Sequence, residues 1–226
     1  MGTIDARFLA RMERLLWLYA LPYDPLYPVI CFDERPCFLI GTSVAGLEMR
    51  AGRVAREHYA YEKNGSCALL MAIEPQTGKR LARVFDRRRK SEYAQFMKEL
   101  AARYPEAKKI RLVQDNLNTH SVSAFYESFS AEEAFALSQR FEFYYTPKSG
   151  SWLNMIEIEF SALSKQCLNR RIASKEELSQ EVSAVVKERE EKAIKIDWQF
   201  SITSARSKLN RHYRQVHADN AQYLRT

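Results

Sequence analysis

The pattern of apolar and polar positions predicts a helix followed by alternating strands and helices. Residues 5–20 carry apolar side chains at helical spacing and predict an amphipathic helix. Pro22, Pro25 and Pro28 predict that this helix ends in a short rigid linker. Strands are predicted to end at Asp33 and Asp115 and to span 37–40, 58–62, 67–73, 81–85 and 141–145. Asn64-Gly65 predicts a hairpin turn.

Further helices are predicted at 91–104, with Ser91 as its cap, at 122–139, around Glu157, at 175–192 and at 203–213. This order of elements predicts an α/β fold with a mixed sheet and flanking helices. A length of 226 residues suits one domain with a sizeable core. We therefore divide the chain into an N-terminal helix and linker at 1–22 and a single domain at 23–226.

Composition narrows the class of partner. Lys plus Arg number 35 against 28 Asp plus Glu, and the net charge of +7 favours polyanionic partners, although a solvated surface with a mild bias would give the same count. Four cysteines without a Cys-x-x-Cys pair argue against a zinc site and a disulfide framework. The apolar run at 15–21 is too short to span a bilayer, so a cytoplasmic protein without a membrane partner is expected.

Two aspartates follow apolar runs that predict strands. Asp33 shares one strand face with the residues two and four positions before it, and Asp115 does the same on its own strand. If the two strands are neighbours, both carboxylates point to one place. Either aspartate alone would more often begin a turn, because Asp33-Glu34-Arg35-Pro36 and Asp115-Asn116 are good turn sequences.

A third acid lies on the helix that follows residue 154, and two glutamates compete for it. The apolar stripe of this helix consists of Leu153, Ile156, Phe160, Leu163 and Cys167. At 100° per residue, Glu157 and Glu159 lie on opposite shoulders of that stripe. Helical periodicity therefore leaves the choice between them open.

Three segments carry a family resemblance: VICFDERP at 29–36, IRLVQDNLNTH at 110–120 and YTPKSGSWLNMIEIEF at 145–160. They resemble the catalytic segments of bacterial insertion-sequence transposases of the mariner-like DDE superfamily. In that family an Asn precedes the catalytic acid by three positions, which selects Glu157 through Asn154. The resemblance implies a ribonuclease H-like fold in which Asp33, Asp115 and Glu157 are catalytic and bind two Mg²⁺ ions, with Mn²⁺ as a possible substitute.

The same resemblance indicates residues around the acids. Asn116, His120 and Asn154 are candidates for orienting a ligand or a phosphate, although a lone His is more often a hydrogen-bonded surface residue. Candidate DNA contacts are Arg87, Arg88, Arg89, Lys90, Trp152, Arg170 and Arg171. The basic residues could equally be solvated charges, and a Trp at such a position is more often a core aromatic that anchors the helix start.

The resemblance implies DNA cleavage at transposon ends with water as nucleophile, and then strand transfer in which the freed 3′ hydroxyl attacks target DNA. Double-stranded DNA is the implied partner and a homodimer the implied assembly, on the nucleoid. The family usually carries an N-terminal helix-turn-helix region, and none is recognisable before Pro22. The chain therefore resembles the downstream part of a split or frameshifted transposase, or a truncated transposase. A metal-dependent nuclease without strand transfer and an inactive DNA-binding remnant remain alternatives.

Overall fold

A five-stranded mixed sheet forms the centre of the protein. The computed structural model describes residues 4–43 and 61–220. The strands are β1 (Val29–Thr42), β2 (Tyr61–Ile73), β3 (Arg80–Phe85), β4 (Ile110–Gln114) and β5 (Phe141–Tyr145), arranged in the order β3-β2-β1-β4-β5. The first three strands are antiparallel, and β4 and β5 run parallel to β1. The predicted mixed α/β sheet is confirmed.

Helices cover both faces of the sheet. They are α1 (Ala6–Tyr19), α2 (Lys90–Ala102), α3 (Ser123–Ser128), α4 (Ala131–Gln139), α5 (Ile156–Leu163), α6 (Lys175–Glu191), α7 (Ile202–Lys208) and α8 (Asn210–Val216). A 3₁₀ turn at Ser151–Leu153 precedes α5, and a π turn at Ser164–Leu168 continues it. Within the described ranges, no helix is both long and apolar enough to cross a bilayer.

Alternation along β1 divides the buried side chains into two cores. Cys31 faces a core shared with α1, α5 and α6, whereas Ile30 and Phe32 face a core shared with α2, α3 and α4. This is the period of two that a strand buried on both faces requires. The sheet therefore has one helical layer on each side, and the first of these layers contains α5, the helix of Glu157.

The N-terminal helix is confirmed and packs into the first core. Asp5 caps it by accepting a hydrogen bond of 2.8 Å from the backbone N–H of Phe8. Its apolar face is buried, with Met12 and Leu16 almost inaccessible to solvent. Because α1 shares this core with the sheet, it stabilises the same body that carries the candidate site. The division at residue 22 stays a prediction.

The predicted end of a strand at Asp33 is wrong, because β1 continues to Thr42 and includes the segment predicted as a separate strand at 37–40. Antiparallel pairing with β2 runs from Cys31 opposite Ile73 to Thr42 opposite Tyr61. This pairing overrides the local turn preference of the sequence after Asp33. Pro36 is tolerated because the pairing of β1 with β4 stops at Cys31, so this part of β1 has a strand on one side only.

The hairpin predicted at Asn64-Gly65 is also wrong. Both residues lie within β2, where the register with β1 shifts between Leu39 and Ile40. The shift leaves Asn64 without a partner residue, and Gly65 adopts a positive φ of 114°, so the turn-like pair forms a β-bulge. Of the strand predicted at 58–62, residues 61 and 62 belong to β2, and residues 58–60 lie outside the described residues.

Three helix predictions need correction at their ends. Ser91 does not cap α2; Arg89 is the N-cap, and its backbone N–H donates to Glu92 at 3.1 Å. The stretch at 122–139 is interrupted after α3, and Ser130 caps α4. The helix predicted at 203–213 is divided into α7 and α8 at Leu209, whose backbone is not helical.

Candidate active site

The two aspartates come from neighbouring parallel strands. β1 and β4 are paired with Val29 opposite Arg111 and Cys31 opposite Val113. Asp33 and Asp115 each lie two residues beyond the second pair, so both leave the sheet on the same face. Asp33 lies within its strand, and Asp115 is the first residue after β4. The sequence left open whether these strands are neighbours, and the sheet order answers that they are.

A buried asparagine ties the helix of the third acid to β1. The side-chain amide of Asn154 donates a hydrogen bond of 2.9 Å to the backbone carbonyl of Phe32, the residue directly before Asp33. Asn154 is almost inaccessible to solvent, so this bond is shielded from competing water. Glu157 follows in the first turn of α5. The hydrogen bond therefore fixes the start of α5 relative to the strand that carries Asp33.

Asp33 and Glu157 line the same cleft. Its volume is about 260 Å³, and its other lining residues are Glu34, Arg35, Pro36, Phe160, Ser161 and Ser164. Arg35 spans the cleft floor, since its guanidinium donates to the backbone carbonyl of Phe160 at 3.3 Å and to the hydroxyl of Ser164. The cleft is open to solvent, which a site for a large substrate requires.

Glu159 points away from the cleft and is completely buried. Its carboxylate accepts hydrogen bonds from Arg80 at 2.8 and 2.9 Å and from Arg189 at 3.1 and 3.0 Å. Burial opposes its ionisation, but the hydrogen bonds from Arg80 and then Arg189 outweigh burial and lower the pKa of Glu159. Glu159 is therefore an ion-paired residue of the protein interior. Only Glu157 of the two glutamates faces Asp33.

The acids influence one another electrostatically. Burial, followed by the negative charges of Asp115 and Glu157, raises the pKa of Asp33 to about 7. The backbone N–H of Glu34, which donates to Asp33 at 2.7 Å, and the charge of His120 act in the opposite direction. Mutual repulsion of this kind is relieved when a cation lies between the carboxylates.

The donor set suits a hard divalent cation, because carboxylate oxygens are the ligands that Mg²⁺ prefers. Among the described residues, however, no three His, Cys, Asp or Glu side chains converge closely enough to form a complete metal site. Asp115 is instead hydrogen-bonded to His120 and to the backbone N–H of Leu117, at 2.5 and 3.3 Å. The carboxylates therefore provide the oxygen ligands that a divalent metal ion needs, but the described side chains do not surround a single metal position.

His120 is buried beside Asp115, so the expectation of a surface histidine is wrong. Its side chain has no solvent exposure, and its Nδ1 lies 2.5 Å from Asp115 Oδ1. The ring is held between Tyr93 and Phe32, at centroid distances of 5.0 and 5.2 Å. Burial lowers the pKa of His120, but Asp115 and Glu34 raise it to about 9. The cationic ring can thus fix the orientation of the Asp115 carboxylate.

The structure separates the predicted DNA contacts into two groups. Arg87, Arg88 and Arg89 are exposed in the loop before α2, and Lys90 begins that helix and pairs with Glu127. Arg88 also pairs with Glu34 at 3.3 Å, which places this loop beside the acids.

Arg170 is already engaged by Glu177 and Glu181 of α6, and Arg171 is half-buried. Trp152 is 47 % exposed and contacts Phe200 with its ring, so the alternative of a core aromatic is wrong. Asn116 is exposed next to Asp115.

Two cleft residues, Glu34 and Arg35, were missed by the sequence reasoning. Glu34 approaches His120 Nε2 at 3.6 Å, and Arg35 links β1 to the end of α5. A signal was present: on a strand that continues past Asp33, the residue two positions later shares its face. Ending the strand at Asp33 removed Arg35 from consideration.

The sequence matches the family model described as DDE superfamily endonuclease over residues 28–179, from the start of β1 into α6. The chain therefore belongs to this family and is a DDE-type enzyme. No curated protein matches the sequence.

Three solved structures of Mos1 transposase share the fold. The Mos1 mariner paired end complex with Mn has a TM-score of 0.52 and 13 % identity, covering 97 % of this chain and 64 % of that one. The Mos1 strand transfer complex gives 0.53 and 13 %, covering 96 % and 62 %. The Mos1 paired-end complex with left transposon end gives 0.50 and 14 %, covering 97 % and 64 %. The fold is thus ribonuclease H-like, as predicted, and the chain spans less than two thirds of each Mos1 chain.

Proposed function

We propose that this chain is the catalytic domain of a transposase that cuts DNA at transposon ends and joins the freed end to target DNA. The observation that supports it best is the cleft in which Glu157 faces Asp33, with Asp115 on the neighbouring strand. Carboxylates gathered from two strands and a helix suit metal-dependent phosphodiester chemistry. The sequence resemblance further favours a bacterial insertion sequence of the mariner-like group, acting in the cytoplasm on the nucleoid.

In this proposal Asp33, Asp115 and Glu157 are the catalytic residues and bind two Mg²⁺ ions, with Mn²⁺ as a substitute. Held there, divalent ions would supply positive charge for the attacking and leaving oxygens of an in-line displacement. The chain's own residues supply rigid positions for this chemistry. β1 holds Asp33, Asn154 holds the start of α5 against Phe32, and His120 orients Asp115.

The DNA contacts and the assembly are part of the same proposal. The related Mos1 structures are paired-end and strand transfer complexes, one of them with Mn, which supports transposon ends and target DNA as substrates and a divalent metal as cofactor. The exposed loop with Arg87, Arg88 and Arg89 lies close enough to the acids to contact phosphates near the cut. Two transposon ends must be cut together, so we propose a homodimer.

The test uses labelled duplexes prepared from the DNA that flanks the gene on each side, together with a supercoiled target plasmid. We expect cleaved and joined products with Mg²⁺ or Mn²⁺ and neither product in chelator. Asp33→Ala, Asp115→Ala and Glu157→Ala should each abolish both products, whereas Glu132→Ala, which removes an exposed acid of α4, should not. Cleavage without joining would support the nuclease alternative. Binding without cleavage by the folded wild-type protein would support the inactive remnant.

A further inference from the structure

The exposed side of α1 carries three arginines that lack a carboxylate partner. Arg7, Arg11 and Arg14 follow one another at helical spacing and are all exposed. Most arginines elsewhere in the described ranges are engaged by acids: Arg80, Arg83, Arg88, Arg103, Arg111, Arg170, Arg189 and Arg206. No described carboxylate lies within salt-bridge distance of the three on α1. Their charge is therefore available to a ligand.

Two of these arginines line a groove between α1 and the edge strand β5. The groove has a volume of about 180 Å³ and is formed by Arg11, Arg14, Leu15, Phe143, Tyr144 and Tyr145. The guanidinium of Arg14 lies 4.6 Å from the centroid of the Tyr144 ring, which holds the side chain along the groove. The groove thus combines fixed positive charge with aromatic surface.

The acids near the groove are already neutralised. Glu142 of β5 accepts a hydrogen bond of 2.8 Å from the Tyr144 hydroxyl and lies 3.5 Å from Arg111. On α1 itself, Glu13 is bound by Arg206 at 2.8 and 3.0 Å. Neither carboxylate competes with an anion for Arg7, Arg11 or Arg14.

The spacing of the three arginines matches a nucleic-acid backbone. Arg7 and Arg14 are seven residues apart, which is about 10 Å along the axis of an α-helix. That length corresponds to about three base-pair steps along the axis of duplex DNA, which rises about 3.4 Å per nucleotide of one strand. Arginine also forms paired hydrogen bonds with phosphate oxygens, which a lysine cannot do.

The groove leads towards the candidate active site. The Arg11 guanidinium lies 3.5 Å from the backbone carbonyl of Thr146, the residue that follows β5. The chain runs from Thr146 through the 3₁₀ turn to Asn154 and Glu157. Tyr145, which lines the groove, is paired with Gln114, the residue before Asp115, so this end of the groove lies beside the strand end that carries Asp115.

We propose that Arg7, Arg11 and Arg14 form a phosphate-binding surface that holds the backbone of a DNA strand along the groove between α1 and β5. The assignment of that strand to a transposon end rests on the proposed function, whereas DNA binding itself does not. The surface is distinct from the loop at 87–90 and adds a second set of phosphate contacts.

The experiment measures binding of a fluorescent duplex by anisotropy across a salt series, in chelator so that no cleavage occurs. The variant Arg7→Gln/Arg11→Gln/Arg14→Gln is compared with the matched control Lys187→Gln/Lys192→Gln/Lys195→Gln, which removes the same charge from the end of α6 and the residues after it. Each phosphate contact contributes about 0.9 to the slope of log K against log salt on duplex DNA. We expect the α1 variant to lose up to about 2.7 of slope and at least tenfold in affinity at low salt. The control should keep its slope.

Equal loss in both triple variants would show that net charge alone matters and would overturn the proposal. Wild-type binding by the α1 variant, or loss of self-association in sedimentation without loss of DNA binding, would overturn it as well. The double variant Arg7→Gln/Arg11→Gln leaves the contact of Arg14 with Tyr144 intact. Its salt slope should decrease by about two thirds of the decrease seen in the triple variant. Because these assays contain no divalent metal, a chain that fails to cleave DNA can still confirm this surface.

Discussion

Replacing Glu159 by Gln should destabilise the fold severely, and Glu157→Gln should not. Among the described residues, Glu159 is the only carboxylate that contacts the Arg80 guanidinium, and both side chains have no solvent exposure. Gln keeps the shape of the side chain but removes the negative charge between two guanidinium groups. Arg80 is then left as a buried cation whose remaining partners are carbonyl oxygens of Gly78, Arg189 and Ile194.

The expected magnitude follows from this burial. Removing one partner of a buried ion pair costs about 3–5 kcal/mol. For a chain of this size, 1 kcal/mol corresponds to about 2–4 °C in Tm, so a decrease of about 6–20 °C is expected. Glu157 is half-buried beside other acids, and its conversion to Gln should change the free energy of unfolding by less than about 1 kcal/mol. Urea unfolding followed by circular dichroism measures both.

The pH dependence gives the same prediction a second readout. The pKa of Glu159 is lower in the folded protein than its ordinary value. An acid with a lowered folded pKa contributes stability above its unfolded pKa, and that contribution is lost as the pH falls through the folded pKa. The difference between wild type and Glu159→Gln should therefore be largest near neutral pH and shrink below about pH 4. An equal difference at all pH values, or a loss below 1 kcal/mol at pH 7, would refute the reasoning.

Two further perturbations test the supports of the site. Asn154→Ala removes the hydrogen bond to Phe32 and leaves a buried carbonyl without this partner. It should lower the free energy of unfolding in urea by about 1–3 kcal/mol and reduce DNA cleavage. The control Asn116→Ala, at an exposed position, should change the free energy of unfolding by less than about 0.5 kcal/mol. Neutralising Arg87, Arg88 and Arg89 to Gln should reduce the salt slope of DNA binding by up to about 2.7 if all three contact phosphates. An unchanged slope would show that these arginines are solvated and do not contact phosphates.

The strand predictions succeeded where the alternation of side chains along a strand decides which face each residue occupies. The period of two placed Asp33 and Asp115 on matching faces, and the register of β1 with β4 agrees. The sequence after Asp33 favours a turn locally, yet β1 continues because twelve residue pairs with β2 stabilise it. Single-sequence reasoning underestimates such long-range pairing, and Arg35 was missed for that reason.

The choice between the two glutamates of α5 shows the same limit on a helix. Helical spacing puts Glu157 and Glu159 on opposite shoulders and carries no information about what each shoulder faces. The deciding partner of Glu159 is Arg80, which lies 79 positions away in the chain. Arg80 lies on β3 and Arg189 on α6, so only tertiary packing brings them to this glutamate. The family resemblance supplied a choice that the periodicity could not. Glu157 lines the cleft with Asp33, and its catalytic role stays a prediction.

The central claim is that Asp33, Asp115 and Glu157 bind one set of divalent metal ions. Its most direct test is a crystal structure with Mn²⁺, in which anomalous scattering locates the metal. We expect manganese peaks in the cleft in direct contact with carboxylate oxygens of all three residues, and no peak there in the Asp33→Ala protein. Manganese bound elsewhere, or bound in the cleft by Glu34 or Glu159 in place of these acids, would contradict it.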